Sequence, residues 1–282
     1  MSGLPDLTMD DTSHALTLAD VVELFREEQN VSAKDMLLLR TFLLENDCKN
    51  IISRLKGKTD VPMLYGNFSP EQLDELVAVA ADSDEGNDTE YPDFLIEFMR
   101  NYEVHKDESG YFVDDDLMIR YWEYAKASKS ELVSAWADLN VNVSNILAAF
   151  IAASQELNAA EYLVGDNEVN DMIRTSKAKD YDLGREYDYV PTVMQIVACD
   201  NPVEKERRID ALKWVWLDEQ TFFNPFSMDA FYAYLCKVQM HERWRILDPA
   251  FGKQRFESII ESLRREVQVP DEFKVASPFA AK

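Results

Sequence analysis

What most limits the folds open to this chain is an apolar spacing of three and four residues that recurs along nearly its whole length. Few residues interrupt it: Gly occurs 8 times and Pro 10 times in 282 residues. Over residues 35–56, Leu38, Leu39, Phe42, Leu43, Ile51, Ile52 and Leu55 keep the spacing of an amphipathic helix. Thr17-Leu-Ala-Asp20 has the outline of a capping box ahead of an apolar run. Ser69-Pro70-Glu71 places a cap and a proline in front of Leu73, Leu76, Val77 and Ala80. Pro92 opens a helix whose stripe is Phe94, Leu95, Phe98, Met99 and Tyr102. Ser130 to Leu157 reads as one long helix or a tightly broken pair, with Asn140, Asn142 and Asn145 marking a wetted side. Asn201-Pro202 begins a helix through Trp214, Val215 and Leu217, and Ser227 begins another through Phe231, Tyr234, Leu235 and Val238. A last helix is expected from about Lys253 to Val267, followed by an extended tail from Val269 to Lys282.

Strand signals are brief, at Tyr187–Val190 and Tyr111–Val113, and leave room for one minor hairpin. The fold class is therefore all-α: helices on short polar links that bury their stripes as bundles. Breaks are expected at Asp82–Glu90, at Lys106–Gly110 and across Ser176–Pro202. They suggest an N-terminal bundle (residues 1–106), a middle bundle (107–200) and a C-terminal bundle with an extended tail (201–282).

The formal net charge is −24, which repels phosphates and makes nucleic acid an unfavourable partner. The excess is uneven: 22 acidic against 9 basic side chains over residues 1–106, 18 against 7 over 107–200, and 13 against 13 over 201–282. Solubility alone accounts for such a surface; the sharper reading is that the acidic part faces basic loops of a partner. No apolar run approaches the roughly 20 residues of a membrane span. With no secretory signal in the opening residues, cytoplasm is the expected compartment. Cys48, Cys199 and Cys236 are too few and too scattered for a disulfide framework.

Signs of catalysis are missing. His14, His105 and His241 lack ligand spacing, and His241-Glu242 fails as a zinc-protease helix because Arg245 stands where the second His belongs. Asp82–Gly86 resembles a calcium loop only superficially, with its Gly one place early and Asp93 where a Glu is needed. Asp114-Asp-Asp116 reads as the start of a helix. Neither a glycine-rich phosphate loop nor a nucleophile elbow occurs. The expectation is a protein that is not an enzyme and carries no cofactor or metal.

One pattern occurs twice. Around Phe42 the chain reads Phe-Leu-Leu-Glu-Asn-Asp47-Cys-Lys-Asn50-Ile51, and around Trp136 it reads Trp-Ala-Asp-Leu-Asn-Val-Asn142-Val-Ser-Asn145-Ile146. Each has an aromatic residue, then Asp or Asn, then Asn-Ile, which sets two polar groups one turn apart on one helix face. Asp47, Asn50, Asn142 and Asn145 thus form a repeat signature, suited to tying down a bundle corner by hydrogen bonds to a neighbouring backbone. Residues Phe226–Lys237 share the outline without the Asn.

This echo resembles the repeated helical element of the funnel component of V-type and A-type ATPases, lettered C in prokaryotes and d in eukaryotes. Tyr234-Leu235-Cys-Lys237 followed by Arg245-Ile246 is similar to the last bundle of that component. Met240 stands where the pattern has Glu and Arg243 where it has Asn, so polar contacts of those two do not carry over. A closer similarity, end to end, is to an uncharacterised bacterial family encoded in V-type ATPase operons that lack an ordinary gene for the C/d component. It is carried by Gly3-Leu-Pro-Asp-Leu7, by Ala211-Leu-Lys-Trp214-Val-Trp216-Leu-Asp-Glu-Gln-Thr-Phe222-Phe223, by Glu242-Arg-Trp244 and by Val267-Gln-Val-Pro-Asp-Glu-Phe273.

The resemblance implies a non-catalytic funnel of pseudo-repeated helical bundles that couples the central shaft of a bacterial V-type ATPase to its membrane rotor ring. The implied partners are the central-shaft proteins and the ring, and the protein would be cytoplasmic, held at the inner membrane through the complex. The alternative is an operon-encoded assembly factor or helical protein-binding scaffold. Aromatic and Arg side chains dominate interface hot spots, so Trp214, Trp216, Phe222, Phe223, Arg243, Trp244 and Arg245 are the interface candidates. Helical spacing alone would put Trp214 and Phe222 in the core, and Arg243 and Arg245 in local salt bridges.

Overall fold

A computed structural model describes residues 4–9, 16–28, 31–58, 61–81 and 91–247. They form helices without a single strand: α1 (Leu18–Arg26), α2 (Ala33–Leu55), α3 (Pro70–Ala81), α4 (Asp93–His105), α5 (Val113–Lys126), α6 (Glu131–Ser154), α7 (Glu168–Thr175), α8 (Val190–Val197), α9 (Pro202–Thr221) and α10 (Met228–Leu247). Two short 3-10 turns lie at Ala159–Tyr162 and Leu183–Arg185.

Local chemistry fixes most helix starts. Thr17 and Asp20 close a full capping box on α1, and Ser32 and Asp35 close another on α2, each satisfying backbone donors that the first turn leaves unpaired. Ser130, Asn167 and Asn201 accept backbone N–H groups at the starts of α6, α7 and α9. The three acids Asp114, Asp115 and Asp116 occupy the first turn of α5, where the helix dipole favours negative charge.

Ser130 to Leu157 resolves as the unbroken 24-residue α6, which with the 23-residue α2 runs through the middle of the molecule. Helix α6 packs against α5, α7, α8 and α10; α2 packs against α5 and α10, α1 against α10, and α9 against α8 and α10. The buried apolar cluster is continuous from Leu18 to Val238. Aromatic contacts stitch distant parts together: Phe25 stacks on Phe231 at 4.5 Å, Phe42 meets Tyr232 edge-on at 5.4 Å, and Trp136 lies 5.8 Å from Trp216.

Several expectations change. The hairpin is not formed among the described residues: Val113 is the first residue of α5 and Val190 the first of α8, with Pro191 suited to a first helical turn. Within Ser176–Pro202, read as a break, lies the eight-residue α8, too short for periodicity to announce. Asn140, Asn142 and Asn145 are not wetted; all three are buried beneath other parts of the chain. The calcium-like stretch at 82–90, the Lys253–Val267 helix and the tail lie outside the described residues.

Candidate functional site

The repeated Asn does the same thing twice. In α2, the Asn50 side-chain amide donates to the Leu64 carbonyl at 2.9 Å, and its oxygen accepts the Leu64 N–H at 2.8 Å. In α6, Asn145 donates to the Val164 carbonyl at 2.9 Å and accepts the Val164 N–H at 2.9 Å. A carboxamide carries the donor and acceptor of a peptide group. It can therefore pair with both backbone groups of one residue and hold an irregular segment against the helix. The polar residue one turn earlier takes the strap three residues further on. Asp47 accepts the Asn67 N–H at 3.0 Å, the Asn67 amide at 2.8 Å and the Phe68 N–H at 3.2 Å. Asn142 accepts the Asn167 amide at 3.1 Å.

Each clamp has its own reinforcement. Asn46 donates to the Tyr65 carbonyl at 2.9 Å, and Gly66 passes so close that a Cβ there would lie 2.1 Å from Asp47 Oδ1. At the second clamp, Asn170 donates to the carbonyls of Val164 at 3.1 Å and Gly165 at 3.0 Å. Burial pushes the Asp47 carboxyl above its ordinary value, and the donors from Asn67 and Phe68 oppose that rise. The third region has no such clamp. Lys237, at the end of that region, pairs with Asp218 and lies 5.2 Å from the Trp214 ring.

The interface candidates separate into two groups. Trp214 is buried and stacks on His241 at 5.2 Å. Trp216 is half-buried against Trp136. The Trp244 Nε1–H donates to Asp210 at 2.7 Å, and Arg243 pairs with the same carboxylate and with Glu206. Trp214, Arg243 and Trp244 thus belong to the α9–α10 packing, Trp216 to the contact with α6, and the half-buried Arg245 lines a crevice with Leu7 and Leu16 near the N-terminus. Phe222 and Phe223 do not: they stand 74% and 93% exposed in the turn between α9 and α10, beside Phe226 at 82%. For Phe222 this corrects the core placement that helical spacing suggests, because α9 ends at Thr221 and the chain turns away from its buried stripe.

A cavity of about 580 Å³ opens where α2, α6, α9 and α10 meet the first strap. Glu45 and Lys49 reach it from α2, Trp136 and Asn140 from α6, Asp210 and Lys213 from α9, and Gln239, Met240 and Arg243 from α10. Lys213 is not marked out by the sequence, where it is one more charge between Leu212 and Trp214. Burial lowers its pKa from the ordinary lysine value, and Glu45 and Asp210 counter the shift in part. Among the described residues, no group of three or more His, Cys, Asp or Glu is arranged to hold a metal, and no helix is long and apolar enough to cross a membrane. All three cysteines are free thiols.

Compared with known proteins, residues 1–267 match a family described as "Protein of unknown function (DUF2764)". No curated protein and no solved structure matches the chain.

Proposed function

The chain belongs to the DUF2764 family, and from that premise we propose that it is a non-catalytic, C/d-like component of a bacterial V-type ATPase, coupling the central shaft to the membrane rotor ring. The observation that carries the reading is the pair of clamps: two long helices grip a following segment through Asn at one position and Asp or Asn one turn before it. A reiterated helical module is what the similarity to the C/d component implies.

Other features suit the role. A body transmitting torque has to be stiff, and close-packed helices with satisfied corners deform little. The net charge of −24 complements ring loops that carry Lys or Arg, which favours fast and oriented docking. Phe222, Phe223 and Phe226 form an exposed apolar turn of the kind that anchors a partner. On this reading the protein is peripheral to the inner membrane and reaches it through the complex.

The test is to purify the intact ATPase from cells that make this chain and quantify every component by mass spectrometry. A coupler is present at one copy per motor and its removal uncouples ATP hydrolysis from ion movement. Absence from the finished motor, with motor assembly failing when the gene is deleted, would instead make it an assembly factor.

A further inference from the structure

The cavity between α2, α6, α9 and α10 has an imbalance that the coupling role does not use. Its carboxylates are engaged: Glu45 binds Lys49 at 2.6 Å, Asp210 takes Trp244 at 2.7 Å together with Arg243, and Glu242 accepts the Leu18 N–H at 2.9 Å. Lys213 is the exception. It lines the cavity, is half-buried, and forms no hydrogen bond or ion pair among the described residues. Glu45 and Asp210 offset part of the cost of taking this ammonium out of water. They are already bound by Lys49, Arg243 and Trp244, and an anion entering the cavity would remove the remainder.

The walls define the anion. Leu64, Trp136 and Met240 supply apolar surface, which suits an apolar body with a flat face. Three carboxylates, Glu45, Asp210 and Glu242, also line the space. A doubly charged phosphate would meet their repulsion with one free ammonium to offset it, whereas a single carboxylate is matched by Lys213. The volume of about 580 Å³ falls within the roughly 300–1,000 Å³ of small-molecule sites. We propose that this cavity is a binding site for a small monocarboxylate with an apolar, flat body, its carboxylate seated on the Lys213 ammonium. The site is independent of the coupling reading.

The experiment uses the full chain and saturation-transfer NMR backed by calorimetry, at millimolar probe concentration. Benzoate, phenylacetate, indole-3-acetate and octanoate are compared with benzamide and inorganic phosphate. At least one aromatic acid is expected to bind, at least tenfold more tightly than benzamide or phosphate. Lys213→Met, with unfolding followed in parallel, is expected to weaken binding of that acid at least tenfold. Lys49→Met frees Glu45 to claim Lys213 and should weaken it as well. Failure of all four acids to bind, equal binding of benzoate and benzamide, or stronger binding of phosphate would overturn the proposal. So would full retention of acid binding in a folded Lys213→Met protein.

Discussion

Asn145→Asp changes one atom of the second clamp and should reveal how the clamp works. Asn145 is 2% exposed and meets both backbone groups of Val164 at 2.9 Å. An ionised carboxylate there still accepts the Val164 N–H but turns an oxygen toward the Val164 carbonyl. That carbonyl keeps one donor, the Asn170 amide at 3.1 Å. The lost hydrogen bond costs about 1 kcal/mol, and burying the carboxylate adds about 2 kcal/mol, so the variant should lose about 3 kcal/mol near pH 7.5. The sign of the pH dependence follows. Burial raises the folded-state pKa of the new carboxyl above the roughly 3.9 of the unfolded chain. The folded state then holds its proton to higher pH, so stability relative to wild type falls as pH rises between those two values. Near pH 4, where the unfolded chain takes up the proton as well and the protonated carboxyl can donate to Val164, the deficit should shrink toward about 1 kcal/mol.

Asn142→Asp is the matched control. Asn142 Oδ1 already accepts from Asn167, and the first clamp carries Asp47 at the same place. Asn142 is also buried, so an ionised carboxylate there carries a similar burial cost but breaks no pairing with a backbone carbonyl. That variant should lose about 2 kcal/mol near pH 7.5, roughly 1 kcal/mol less than Asn145→Asp. Urea titrations followed by far-ultraviolet circular dichroism at both pH values provide the measurement. Equal losses in the two variants at pH 7.5, or an Asn145→Asp deficit that ignores pH, would refute the two-sided pairing.

Gly66→Ala places a Cβ 2.1 Å from Asp47 Oδ1 and should cost about 2 kcal/mol by forcing the first strap away, read as a shift of the urea midpoint. Trp244→Phe keeps an aromatic ring, though a smaller one, and removes the 2.7 Å donor to the buried Asp210 carboxylate, with an expected loss of about 1.5–3 kcal/mol in the same assay. Phe222→Ser with Phe223→Ser alters side chains that are 74% and 93% exposed. Stability should change by less than about 0.5 kcal/mol, while, on the proposed coupling role, co-purification with a V-type ATPase drops sharply; a large stability loss would mean the turn is packed.

Caps and periodicity are short-range, and the corresponding parts of the fold were legible. Thr17, Ser130 and Asn201 each begin the helix their side chains suggest, and the apolar stripe of residues 35–56 lies within α2. The Asp47/Asn50 and Asn142/Asn145 echo was visible too, because both copies sit on one helix and keep one spacing.

The partners were not. Asn50 meets Leu64 and Asn145 meets Val164 across 14 and 19 residues. The straps share only an aliphatic residue at the clamp, a nearby Gly and Asn67 or Asn167, too short a likeness to stand out in the sequence. A polar stripe on a helix looks the same whether it faces water or a backbone that satisfies it. Only the returning chain decides which, and here it converts Asn140, Asn142 and Asn145 from an expected wet face into buried groups. The same holds for Phe222 and Lys213. The helical period assigned the first to the core and left the second unremarked; the end of α9 exposes one, and the meeting of four helices half-buries the other. Residue order sets helix and cap through contacts a few positions long. Burial, pairing and charge environment depend on segments brought together from far along the chain, and these the packing alone supplies.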